Sequence, residues 1–334
     1  MRRLMWLLVG IAALWCLWWW LAATAVERGA TAWLDARRAE GWRAELQELA
    51  VTGFPLRLTA RAEGIALADP SRGLGVQAEA LALSAPAYWP GHLTLSLPET
   101  PIRLDLPLGP FLLRASDAAG ALRLHPGTAL ELEALSLQSG AWELNLPQGN
   151  LLSAEALALR LAQLPDAPAR YRATLSAQGA MPGDLARSAL ALPPDWPRAV
   201  DRLEGDVTLH LAAPLDRRTL ERRLPRPEAI ALDGLALAWG PVGFSAEGAV
   251  EIDESGMPEG DLRLVVENWP EATARAEAAG WITEARRGQA EVLLNALANM
   301  GGGAETLDLT LRFAAGEMFL GPILLGPAPR LVIR

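Results

Sequence analysis

Strict alternation of leucine with polar residues, repeated along most of the chain, is the feature that most narrows its fold. Leu93, Leu95 and Leu97 alternate with Thr94 and Ser96, and Leu104 and Leu106 with Arg103 and Asp105. Trp142, Leu144 and Leu146 alternate with Glu143 and Asn145. The pattern returns at Leu157, Leu159 and Leu161, and at Val207, Leu209 and Leu211. Phe244, Ala246, Gly248, Val250 and Ile252 lie opposite Ser245, Glu247 and Glu251; Leu307, Leu309, Leu311 and Phe313 lie opposite Asp308, Thr310 and Arg312. Successive side chains of a strand point to opposite faces, so these segments build sheets with one apolar and one polar face. Parallel sheets covered on both faces read as continuous apolar runs, so antiparallel pairing is expected.

Turn signals separate the segments: Asp69-Pro70-Ser71, Leu146-Pro147-Gln148-Gly149, Asp253-Glu254-Ser255-Gly256 and Pro258-Glu259-Gly260. At Leu130, Leu132, Leu135 and Leu137 the parity slips by one, which predicts a bulge or two short strands with a turn between. Helices are predicted over Gly183–Leu192, over Pro270–Ala279 with Gly280 just beyond, and from Thr283 through Met300 up to Gly301-Gly302-Gly303. Arg217–Arg223 reads as a further helical turn in an arginine cluster completed by Arg226.

The N-terminus follows different rules. After Arg2-Arg3 the chain is uncharged from Leu4 to Ala25, enough helix for the ~30 Å core of a bilayer. Trp6, Trp15, Trp18, Trp19 and Trp20 lie in it, the last three near its outer end, where amphipathic rings favour the membrane interface. The preceding arginines put the N-terminus in the cytoplasm and the rest outside. Ala23-Thr24-Ala25 would serve as a signal-peptidase site, but the apolar run exceeds the 7–15 residues usual for a secretory signal. From Val26 to Ala50, Trp33, Leu34, Trp42, Leu46 and Leu49 recur at loosely helical spacing, with Gly41 as a weak point.

The fold class is therefore mainly β: an N-terminal transmembrane helix, then a large antiparallel β-sheet or sandwich body with a few short helices. The expected domains are a transmembrane signal anchor over 1–25, a membrane-proximal helix over 26–50 and a periplasmic β-rich body over 51–334. Echoes such as Gly53-Phe54 with Gly243-Phe244, and Met181-Pro182-Gly183 with Met257-Pro258-Glu259, suggest two related halves, about 51–200 and 201–334. Their unequal spacing excludes a constant repeat.

Chemistry is sparse. The net charge is −9 and all 30 basic residues are arginine, which excludes lysine-based chemistry and argues against nucleic acid as a partner. One cysteine, Cys16, rules out an internal disulfide framework and lies in the apolar segment, leaving no thiol nucleophile in the body. His92, His125 and His210 sit at no metal-ligand spacing and read as solvent-facing strand residues. There is no P-loop, no HExxH and no GxSxG. The expectation is a protein that is not an enzyme, with no catalytic, cofactor-binding or metal site and no cofactor.

Several residues in order resemble a family. Glu40-Gly41-Trp42 follows the membrane segment, then Val51-Thr52-Gly53-Phe54-Pro55. Leu237-Ala238-Trp239-Gly240, Gly248 and Asp253–Gly260 follow, with Gly316–Ile323 and Leu325–Pro329 at the C-terminal end. Together they resemble domain of unknown function 2125, a family of alphaproteobacterial membrane-anchored proteins, over nearly the whole chain. The family supplies no catalytic residues. More loosely, an anchor plus a leucine-rich β body resembles AsmA-like envelope proteins, which implies envelope maintenance or lipid traffic by analogy of architecture alone.

The expected function is that of a non-enzymatic, single-pass inner-membrane protein with a periplasmic body. Its partners would be the membrane and lipid acyl chains on an apolar sheet face. The alternative is a periplasmic structural or interaction scaffold with a filled core and no ligand. An apolar sheet face has to be buried against something, and composition does not separate the two.

Overall fold

The computed structural model describes residues 2–89, 91–217, 219, 224–281, 294, 295, 298, 303, 305–321 and 323–331. The chain divides into two compact units, Met1–Leu124 with Leu137–Pro147, and His125–Ser136 with Gln148–Arg334. The division differs from the one near residue 200 suggested by the sequence echoes.

The first unit opens with one continuous helix, α1 (Arg2–Ala39), which runs through the expected boundary at residue 25. It is long and apolar enough to cross a membrane. The helix expected over 26–50 stops at Ala39. Gly41 adopts φ 91°, and the Trp42 N–H donates to the Arg37 carbonyl, a left-handed glycine cap that any side chain would strain. The Arg37 guanidinium then lies 5.8 Å from the ring centres of both Trp33 and Trp42. Leu49 belongs to a strand: β1 (Arg43–Glu45) and β2 (Glu48–Thr52) line one edge of β3 (Arg57–Asp69).

The rest of this unit is β4 (Leu74–Pro86), β5 (His92–Ser96), β6 (Ile102–Leu106), β7 (Gly109–Ala115), β8 (Ala119–Leu124) and β10 (Trp142–Leu146). The division falls within β9 (Leu132–Ser139). β3 pairs with β4, whose other edge forks, taking β5 at one end and β6 at the other. β5 continues to β8, and β6 to β7 and β10, all antiparallel. The pairing aligns Leu67, Val76, Leu104 and Phe111 in one cross-strand row.

The second unit is a long meander. β11 (Gly149–Ala154) pairs with the short β14 (Met181–Pro182). β12 (Ala156–Leu164), β13 (Ala167–Gln178), β15 (Arg202–Leu211), β16 (Pro227–Trp239), β17 (Val242–Ile252), β18 (Pro258–Glu267), β19 (Thr306–Ala314), β20 (Glu317–Leu320) and β21 (Ile323–Pro327) each pair antiparallel with the next. Register places Leu159, Leu175, Gly205, Leu235, Ala246, Leu264 and Leu309 in one row. On the opposite face, Arg263 grips Asp308 through two nitrogens at 2.9 and 2.7 Å and reaches Glu247 at 2.9 Å. Arg312 meets Asp261 at 3.0 Å, and Arg172 meets Asp206 at 3.0 Å. The Arg263 guanidinium holds the Asp308 carboxyl below its ordinary range. These groups are a third to two-thirds exposed, so solvent screens each pair and it serves register more than stability.

The two short helices form as the sequence predicts, slightly trimmed: α2 (Asp184–Ala189), and α3 (Trp269–Ala278) with Gly280 at φ 75° beyond it. Of the helix expected from Thr283, Leu294, Asn295 and Ala298 are described and helical; the rest of it lies outside the described residues. Within Arg217–Arg223, residues 217 and 219 are helical and the others lie outside them too.

The parity slip between Leu132 and Leu135 is not a turn between two short strands: both leucines lie in β9, which runs unbroken, with Leu130 standing before it at φ 52°. Pro258-Glu259-Gly260 is not a turn but the start of β18. Gly248 in β17 lies opposite Leu262, and Gly260 in β18 opposite Val250, with φ 132° and 140°. A Cβ on either would come within 2.4 Å of a carbonyl oxygen, that of Asp261 or Ala249. Here glycine permits close backbone approach inside a sheet.

Two turns share one device. Asp69 Oδ1 accepts from the Ser71 N–H at 2.9 Å and hydroxyl at 2.6 Å. Asp253 Oδ1 accepts from the Ser255 N–H and hydroxyl and the Met257 N–H, each at 2.8 Å. The Asp253 carboxyl is lowered chiefly by the Met257 N–H and then by Ser255.

A buried knot ties the second unit. Tyr171 is fully buried, and its hydroxyl accepts from the Leu215 N–H at 2.9 Å and from Gln163 Nε2 at 3.4 Å. Gln163 Oε1 in turn lies 2.6 Å from His125 Nε2. Burial raises the phenol above its ordinary value despite the Leu215 N–H.

Tyr171→Phe leaves the Leu215 N–H without this acceptor and is expected to cost about 1–3 kcal/mol in urea denaturation. A raised folded pKa stabilises below the unfolded value of 10.0 and loses that contribution as pH rises through the folded value. The wild type should therefore lose stability above pH 10 by a phenol-linked component that the Phe variant lacks. For Asp253 the sign is opposite. The contribution is present above the ordinary aspartate range and disappears as pH falls, so Asp253→Asn should flatten the acid limb of the same stability curve. Gly260→Ala should destabilise by about 1–3 kcal/mol through backbone strain and the carbonyl clash.

Candidate functional site

The apolar face of the meander is unevenly covered. Ala246, Val250, Ile252, Leu307 and Leu309 are buried, whereas Leu159 and Leu237 remain exposed at 39% and 38%. Trp269 at the start of α3 packs with Ala298, Leu307 and Leu309, with Val266, Leu294 and Leu320 around them. Beside this cluster, around the β16–β17 turn, an apolar cavity of about 180 Å³ opens.

Its floor comes from Leu237, Trp239, Val242 and Phe244 of the β16–β17 hairpin. One wall is the segment after α2, with Leu190, Leu192 and Trp196; the other is α3, with Ala272, Ala276 and Ala279, continuing to Trp281. The alanines keep that wall thin, because a larger side chain at one-turn spacing on α3 would fill the space.

The walls are held firmly. Arg187 of α2 donates to the carbonyls of Pro197 and Trp196, each at 2.9 Å, and staples the Pro193–Pro197 loop. Trp239 Nε1 also donates to the Pro197 carbonyl at 2.9 Å. The Trp196 and Trp239 rings meet edge to face at 6.1 Å. Arg275 is the single charged residue of the lining. Its Nε lies 2.8 Å from Glu271 Oε1 one turn earlier, so this rim carries a neutral pair and not a free cation.

One polar atom is left over. The Trp196 indole N–H is buried and has no acceptor among the described residues. An unmade hydrogen bond of this kind costs about 1–3 kcal/mol.

Two larger concavities, of about 550 and 530 Å³, lie over the polar face of the meander. Arg263 on the first is already neutralised by Glu247 and Asp308. The histidines stand on different segments with different neighbours: His92 is exposed in β5, His125 touches Gln163, and His210 lies 3.8 Å from Glu228. Arg226 is also 3.8 Å from Glu228. Among the described residues, no three His, Cys, Asp or Glu side chains are gathered as a metal site. Cys16 is exposed on α1.

Sequence reasoning singled out Trp239 and Phe244 only as pieces of strands and family motifs. It missed Trp196, Trp281 and the alanine wall of α3. The available signal was the spacing of Ala272, Ala276 and Ala279, which puts small residues on one side of a short helix.

A family model described as "Uncharacterized protein conserved in bacteria (DUF2125)" matches residues 19–329. No curated protein matches the chain. The family match takes in the end of the apolar segment, both β units and the cavity, and on that extent the chain belongs to the DUF2125 family.

Proposed function

We propose that this protein is a single-pass inner-membrane protein whose periplasmic β body handles lipid by admitting the end of one acyl chain into the Trp196–Trp239 cavity. The observation that carries the reading is the lining, in which Arg275 is the single charge and is paired to Glu271. The volume supports part of a chain. Pockets that engulf a whole ligand run to roughly 300–1,000 Å³, well above the ~180 Å³ here. Arg2 and Arg3 before α1 support a cytoplasmic N-terminus. The analogy with AsmA-like envelope proteins points the same way at the level of architecture. No catalysis is assigned to the body.

Full-length protein purified in mild detergent should carry copurified phospholipid or fatty acid, seen by mass spectrometry of extracted lipid. It should also bind a fluorescent sixteen-carbon fatty acid. Ala276→Trp fills the cavity from α3 and should reduce binding of the probe at least about tenfold, equivalent to about 1.4 kcal/mol, without lowering the thermal midpoint. Wild-type protein free of lipid and unable to bind the probe would overturn the reading in favour of a scaffold with a filled core.

A further inference from the structure

The anchor and the first β unit are bonded to each other at a level that has a consequence for the bilayer. Trp15 Nε1 donates to the Pro55 carbonyl at 2.9 Å, Trp18 Nε1 to Ala87 at 3.2 Å and Trp19 Nε1 to Arg57 at 2.8 Å. The Trp19 ring meets Phe54 edge-on at 5.5 Å. Ala23 of the helix is buried against Leu58 and Ala87. The turn between β2 and β3 and the segment after β4 are thereby fixed along the outer half of the apolar run, from Trp15 to Ala23, and not beyond it.

At 1.5 Å per residue, Trp15 lies about 17 Å and Trp19 about 23 Å along the helix from Leu4. The hydrocarbon core is about 30 Å thick. With Arg3 at one headgroup layer, both tryptophans fall inside the core, in the leaflet next to the body. Sliding the helix outward until Trp15 reaches the boundary would carry Arg2 and Arg3 about 12 Å into the opposite leaflet, where arginine is strongly disfavoured.

The tip is built for that position. Its exposed large apolar side chains are Phe54 at 53%, Leu56 at 65% and Tyr88 at 72%, with Pro55 and Arg57 exposed beside them. Five of its backbone carbonyls have internal donors. Gly53 accepts from the Arg57 N–H and Leu56 from the Ala87 N–H, while Pro55, Arg57 and Ala87 accept from the three indoles. Backbone entering hydrocarbon has to be satisfied in this way, because no water is there to do it. The Arg57 guanidinium turns back along the hairpin to the Ser84 hydroxyl at 2.6 Å, away from the tip.

We propose that the Gly53–Arg57 turn and Tyr88 insert into the body-side leaflet of the bilayer, so that the first β unit is partly embedded and not merely tethered. This rests on the reading of α1 as a membrane span.

The test uses full-length protein with Cys16→Ser, reconstituted in phosphatidylcholine–phosphatidylglycerol vesicles, with one nitroxide label at a time. Labels go at Leu56→Cys and Tyr88→Cys in the tip, and at Leu8→Cys in the anchor. Arg72→Cys, in the turn at the far end of the β3–β4 hairpin, about 40 Å away, is the aqueous control. Collision with oxygen against a water-soluble nickel chelate reports depth. Insertion predicts that the labels at 56 and 88 match the one at 8, favouring oxygen severalfold, while 72 favours the chelate. Labels at 56 and 88 that behave like 72 while 8 remains lipid-like would overturn the insertion alone. A water-like label at 8 would overturn the span, and the insertion with it.

Discussion

Cross-strand register is the constraint on which the second unit depends. A one-residue slip anywhere in the meander would exchange its two faces. That would drive Arg263, Asp308 and Arg312 toward the side now occupied by Leu235, Leu264 and Leu309. The ion pairs are individually weak, yet they stand where a slip would separate them. Leucine is an indifferent strand former, so the sheet relies on pairing and side-chain burial more than on β propensity. Tyr171 adds a fixed point, because its hydroxyl, Gln163 and the Leu215 N–H meet in only one register of β12 and β13.

Much of this was legible in the sequence because alternation is local. Each run, such as Phe244–Ile252 or Leu307–Phe313, carries its own evidence and became a strand. The failures occur where tertiary pairing overrode a local pattern. Leu49 fits a helix as well as a strand, and only the presence of β3 alongside decides for the strand. Pro258-Glu259-Gly260 has turn chemistry, but Gly260 is needed for close approach to Ala249. The slip between Leu132 and Leu135 was visible too, but both leucines lie in one strand, β9, where they point to opposite faces.

The candidate site was far less legible. A cavity depends on what fails to fill a space, and no single residue records that. Trp196, Trp239 and Trp281 come from separate segments, and α3 contributes mainly by having alanine where a larger residue would close the gap.

The helix cap at Gly41 bears on how the protein would move. Arg37 sits between Trp33, on the helix, and Trp42, on the chain returning to β1, while Arg38 Nε donates to the Ala44 carbonyl at 2.8 Å. With the indole bonds lower down, the first unit grips α1 at two heights. A tether joined at one flexible point would let its cargo swivel; this one works as a keyed shaft. Any torque on α1, from a neighbouring helix or a change in tilt, would turn the first unit through the same angle.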